Sequence, residues 1–267
     1  ADRRPAPSFE EQKPAEKAIR DLFRDAYAKR QPDDLRDLAR TLLQNGRETK
    51  DDPVSQFVLL REARDAAVRA GEAKLALEAV DALGALFAVD DMKMKADALG
   101  EIRRKVRTSE AARALVETAL AAIDAAEGKE DFDAAVALAK EMEPTAQAAQ
   151  DAGLLARFRA RAVELRALHE ESRRVRSSLA KLEEQPDDPA ANLAAGKYWC
   201  LCRDAWEKGL PMLAKGSDKR LQDLAQRELA APTAADEQKR LGDGWWDAAQ
   251  RETSRAKNPS GSHLHPP

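Results

Sequence analysis

The side chains that could do chemistry are few and poorly spaced for it. Cysteine occurs twice, at Cys200 and Cys202, and histidine three times, at His169, His263 and His265. A thiol acts as a nucleophile when its pKa is lowered, and a zinc site needs ligands that converge. Cys200 and Cys202 lie two residues apart on an expected helix, where side chains point about 200° apart, so a disulfide between them would be badly strained. Small packing residues are the simpler reading of both. His263 and His265 alternate around Leu264 with no third ligand beside them, and His169 reads as a half-exposed polar residue on a helix. The chain carries no phosphate loop, no Gly-x-Ser-x-Gly elbow and no zinc spacing. Carboxylate pairs distinguish nothing in a chain with 48 acidic residues. The expectation is therefore a protein that is not an enzyme and holds no cofactor and no metal.

Two other groupings suit recognition better than catalysis. Trp199, Trp206, Trp245 and Trp246 all fall near the end of the chain. Packing between helices is the simpler role for the first three, because large rings fill helix–helix junctions. Trp246 follows Trp245 directly and must point about 100° away on the same helix, so it is the one expected at the surface. Arg157, Arg159, Arg161, Arg166, Arg173, Arg174 and Arg176 crowd one long segment, opposed by Glu164, Glu170, Glu171, Glu183 and Glu184. An acidic partner could use that excess, although a solvated face with i,i+4 pairing explains it more simply. The residues picked as partner contacts are Trp246, Tyr198, Arg166 and Arg173.

The elements that must position these residues are helices. Hydrophobic residues make up 43% and charged residues 35%, with alanine and leucine dominant among the apolar ones. Such residues lose little rotamer freedom in a helix, and no alternating run of β-branched or aromatic residues signals a strand. The net charge of −3 argues against a dedicated nucleic-acid binder. No apolar run approaches the roughly 20 residues a membrane span needs.

Punctuation divides the chain. A polar lead over 1–13 is expected to be disordered, with a first helix beginning after Pro14 and broken at Gln31-Pro32. A second helix ends at Asn45-Gly46. Asp52-Pro53 opens a third, and Gly71 closes it into a fourth. A helix over about 91–107 follows, then a hairpin turning at Gly128. Pro144 and Gly153 predict a less regular stretch. Residues 14–153 thus read as a hairpin series, 154–185 as a long connecting helix, 189–254 as further hairpins and 255–267 as a disordered tail. Hairpins at a period near 34 residues are the mark of an α-solenoid of antiparallel helices.

Leu241-Gly242 followed by Trp245 fits the first-helix pattern of a tetratricopeptide repeat, as does Ala195-Gly196 followed by Trp199. Trp206, Gly209, Leu213 and Gly216 fit the second-helix positions. Asp21–Tyr27, Phe57–Ala63, Trp206–Asp218 and Leu241–Asp247 also resemble a family of secreted helical-repeat proteins of planctomycete bacteria, over roughly 14–252. That resemblance implies an all-α, tetratricopeptide-like solenoid and an export signal removed before Ala1, hence a secreted or cell-envelope location. A trimmed start would also account for Ala1. The function expected is a scaffold or adaptor that binds a protein or peptide partner; the alternative is an envelope carbohydrate- or polymer-binding module using exposed tryptophans.

Overall fold

A computed structural model describes residues 3–257, with side chains described as far as Arg251. The described chain is all-α apart from one pair of two-residue strands. It divides into two compact units, one ending at Arg166 and the other beginning at Ala167.

The first unit holds β1 (Arg4–Pro5), α1 (Phe9–Leu22), α2 (Arg24–Ala28), α3 (Pro32–Glu48), α4 (Pro53–Ala70), α5 (Ala73–Leu86), β2 (Phe87–Ala88), α6 (Asp91–Arg103), α7 (Ser109–Gly128) and α8 (Phe132–Ala148). Short polar side chains set most of the starts. Ser8 makes a reciprocal capping box with Glu11, and Asp52, Asp90, Thr108 and Asp131 each accept from backbone amides of the first turn. Gly71 closes α4 in the left-handed conformation, with φ of 80°. At the α7–α8 turn Gly128 is still helical, and Glu130 takes the left-handed position instead.

Each of α3 to α7 packs on the helix that follows it. Contacts also join α3 to α5 and α5 to α7, and α4 to α6 and α6 to α8. Alternate helices thus form two layers. The seam between them is built from alanine and leucine, among them Leu42, Leu60, Ala67, Leu83, Leu99 and Leu138, all 2% exposed or less.

Several expectations need correction. The segment before Pro14 is ordered over its described residues. Arg4–Pro5 pairs in parallel with Phe87–Ala88, and the Arg4 guanidinium lies over the Phe87 ring and bonds Gln56. Helix α1 begins at Phe9, five residues before Pro14, and Pro14 sits on its exposed side, where the carbonyl it leaves unbonded can reach water. Pro144 is accommodated in the same way inside α8. Gly46 does not end α3. It is buried within it, because an added Cβ would stand 2.8 Å from Leu60 Cγ, and its carbonyl accepts from buried Gln56 at 3.0 Å.

The long helix α9 (Ala152–Glu184) carries the boundary between the units. The second unit continues with α10 (Pro189–Lys197), a π-turn over Tyr198–Cys202, α11 (Trp206–Leu213), α12 (Lys219–Leu229) and α13 (Ala235–Lys257). Val175, Leu179 and Leu182 of α9 pack with Ala195, Tyr198 and Trp199. Cys200, Leu213, Leu221, Leu224, Leu241 and Ala248 form a second cluster, against which Trp206 and Trp245 lie edge to face at 5.0 Å.

The glycines of the repeat pattern behave differently from one another. Gly196 and Gly209 meet at the α10–α11 crossing. A Cβ on Gly196 would stand 2.8 Å from the Leu213 backbone nitrogen, and one on Gly209 would stand 3.0 Å from the Gly196 carbonyl. Gly242 faces open space, and Gly244 is the residue against Leu224. Gly196→Ala should therefore cost about 1–3 kcal/mol, because backbone must move. Gly242→Ala should gain about 0.5–1 kcal/mol from helix propensity alone. Urea melts of the two variants check the opposite signs.

Candidate functional surfaces

The residues picked from sequence fall in both units. Arg166 belongs to the first unit, whereas Arg173, Tyr198 and Trp246 belong to the second. Trp246 is 68% exposed on α13, as expected. Tyr198 is a correction: it is 5% exposed, stacked edge-on against Trp199 at 5.1 Å, and is core. Helical spacing accounts for this: Tyr198 and Trp199 continue the buried face of Ala191, Asn192, Ala195 and Gly196 on α10. The π-turn follows, with the Arg203 amide donating to the Tyr198 carbonyl five residues back.

The arginines of α9 are mostly matched by acids nearby. Arg161 pairs with Asp124 and Glu127, Arg159 with Glu143, Arg173 with Glu170 and Arg174 with Glu171. Both cysteines are free; Cys200 is buried and Cys202 exposed. Burial pushes the Cys200 thiol up to about 11, and protein packed around the Cys202 sulfur, although the residue as a whole is exposed, together with the charge of Glu171 raises that of Cys202. Neither is activated as a thiolate. No group of three or more potential metal ligands occurs among the described residues, and His263 and His265 lie outside them. No helix among the described residues is long and apolar enough to cross a membrane.

Two features that sequence reading missed stand out in the first unit. The first is a buried acid. Glu62 of α4 is 3% exposed and accepts from Tyr27 Oη at 2.9 Å, from Arg61 at 2.9 Å and from Arg20 at 3.4 Å. Arg61 also reaches Gln12 and Glu16 of α1, each at 2.6 Å. Among the residues of α1 only Gln12 and Ile19 are buried, so polar bonds hold α1 on α4 more than apolar burial does. Burial alone would raise the Glu62 carboxyl; hydrogen bonds from Arg61 and Tyr27 and the charges of Arg20 and Arg61 outweigh it and hold the carboxyl below its ordinary value of 4.5. Burial, reinforced by the Glu62 charge, pushes Tyr27 well above its ordinary range. A lone Glu in an amphipathic α4 gives no sequence signal for this network, because its partners Tyr27 and Arg20 lie 35 and 42 residues away.

The second feature is a groove between α5 and α7. Its floor is Leu77 and the α7 residues Ala114, Thr118, Ala121 and Ala125, and its cavity measures 530 Å³. Lys74, Glu78, Asp81 and Glu117 rim it, and Lys95 of α6, 3% exposed, reaches in to pair with Asp81 at 2.5 Å. A second cavity of 510 Å³ shares Lys74, Ala114 and Thr118 and runs on past Arg69, Ile102, Lys105 and Ala111, toward the first turns of α5 and α7. The sequence does carry a signal here. Ala114, Thr118, Ala121 and Ala125 recur at helical spacing beside the buried stripe of Leu115, Ala119, Ala122 and Ala126, on a face that would normally carry charge.

No family model, curated protein or solved structure matches the chain.

Glu62→Ala should cost about 1–3 kcal/mol, because it leaves the part-buried Tyr27 hydroxyl and one arm of Arg61 without their acceptor, and α1 should become the first site of limited proteolysis. Glu62 has a depressed folded pKa. Its contribution is thus complete above the ordinary value of 4.5 and fades as pH falls through the folded value. Glu62→Gln should remove that part of the acid-induced loss, which pH-dependent denaturation measures.

Proposed function

We propose that the protein is a non-catalytic scaffold or adaptor whose first unit is a tetratricopeptide-like solenoid, and that it binds a protein or peptide partner in the groove between α5 and α7. The observation that carries this is the groove itself. Two joined cavities with a small-residue floor lie along two helices of one layer, and each is within the size range of ligand sites. The alternating two-layer packing of α3 to α8 supports the solenoid reading, since stacked hairpins present extended surfaces. Export to the cell envelope is part of the proposal and rests on the family resemblance alone.

Ala121 is exposed on the groove floor, so Ala121→Trp fills the groove with little cost to the core. Binding to an immobilised peptide library, read by fluorescence, should fall more than about tenfold in this variant. Unchanged binding would move the site elsewhere.

A second reading has its own observation. Trp246 presents a 68% exposed ring beside Gly242, which leaves the space next to it open. Such a ring is a platform for a sugar face or an envelope polymer. Intrinsic fluorescence should then shift on adding polysaccharide, and Trp246→Ala should abolish the shift. A flat response across a glycan panel removes this alternative.

A further inference from the structure

The short connection from α12 to α13, Ala230 to Ala234, has the sequence Ala-Ala-Pro-Thr-Ala. The Ala230 amide donates to the Gln226 carbonyl at 3.1 Å and the Ala231 amide to the Glu228 carbonyl at 2.9 Å, so α12 ends in a tight turn. Ala231 then takes a φ of 48°. Glycine normally fills this left-handed position at a helix end, because a Cβ there crowds the backbone. Pro232 adds a second conflict, since proline favours an extended backbone in the residue before it. Both local preferences pull Ala231 toward the extended form. Its side chain is exposed, so no packing of its own offsets the strain.

The docking of α13 is what holds the turn closed. Leu241 and Ala248, 4% and 0% exposed, share a buried cluster with Leu221, Leu224 and Ala225 of α12. Trp245 lies edge to face on Trp206 at 5.0 Å, its Nε1 donates to Glu228 at 3.0 Å, and Gly244 lets α13 close on Leu224. Gln238 donates to the Pro232 carbonyl at 3.0 Å, which ties Pro232 to α13 and leaves Ala231 as the joint. With Ala231 extended, the chain no longer reverses before α13 begins, and α13 points away from its own α12. Each helix then shows an uncovered face whose complement is the other helix of a second copy.

We infer that two copies of this chain exchange α13, with Ala231 as the joint. In the exchanged pair, α13 of each copy lies on α12 of the other and remakes the same contacts. The relaxed joint is set against the cost of bringing two copies together, so concentration decides which form prevails.

Light scattering on the full chain, from dilute to concentrated solution, tests this. Dimer should grow with concentration. Ala231→Gly removes the conflict at the joint and should weaken dimerisation at least about tenfold. Ala231→Val, whose β-branched side chain barely enters the left-handed region, should strengthen it at least about tenfold. A mixed cross-link identifies the exchange itself. Two further chains, each with Cys202→Ser to remove the exposed cysteine, carry Leu224→Cys and Gly244→Cys separately. After mixing and equilibration at high concentration, a short thiol cross-linker should join one to the other in the dimer fraction. A dimer that merely abuts keeps each Leu224 under its own Gly244 and gives no such link. A chain that stays monomeric even as Ala231→Val overturns the exchange. So does a dimer indifferent to both Ala231 substitutions, or one that yields no mixed cross-link.

Discussion

Close approach of helices through alanine and glycine is the constraint on which the rest of the structure depends. The chain is 4% aromatic and 35% charged, so it has few large side chains with which to fill space between helices. A core of fixed packing density then requires the backbones themselves to come near one another. Ala39, Ala63, Ala66, Ala67, Ala76, Ala79, Ala112, Ala119 and Ala126 are all 1% exposed or less and make that approach in the first unit. Gly46 against Leu60 and Gly196 against Leu213 go one step further, removing even the methyl group.

The same economy creates the groove. Where alanine lies on a buried face, neighbouring helices close over it. Where alanine and threonine continue onto the adjoining face of α7, no side chain is long enough to bridge to α5, and a channel remains. Charged residues survive only at its rim or, like Lys95, in a paired state. The buried Glu62 network follows the opposite logic. Helix α1 has little apolar surface to offer α4, so hydrogen-bonded charges supply the attachment.

Much of the helical layout was legible because it is written in local signals. Asp52-Pro53 at a helix start, Gly71 at a helix end and Pro189 at the opening of α10 each act through their own backbone. What was not legible depends on distant partners. Gly46 reads as a terminator until Leu60 is seen against it, and Pro14 and Pro144 read as breakers until their exposed positions are known. Tyr198 reads as a partner contact until the face of α10 that carries Ala191 and Ala195 is seen to be buried, since it lies on that same face. Trp246 needed only its neighbour Trp245, and its exposure came out as read. The groove left a trace, the second small-residue stripe on α7, that is easily mistaken for general alanine richness.

The strap formed by Arg4–Pro5 has a consequence for the order of events during synthesis. Its partners, Phe87 and Ala88, follow about eighty residues later. At elongation rates of about 5–20 residues per second they emerge roughly 4–16 s after the strap does. For that interval the Arg4 side chain has neither Phe87 nor Gln56 in a folded position, whereas α3 and α4 can already pair with each other. The earliest-made segment of the first unit is thus among the last to find its place. Its docking marks completion of α5 rather than the beginning of the fold.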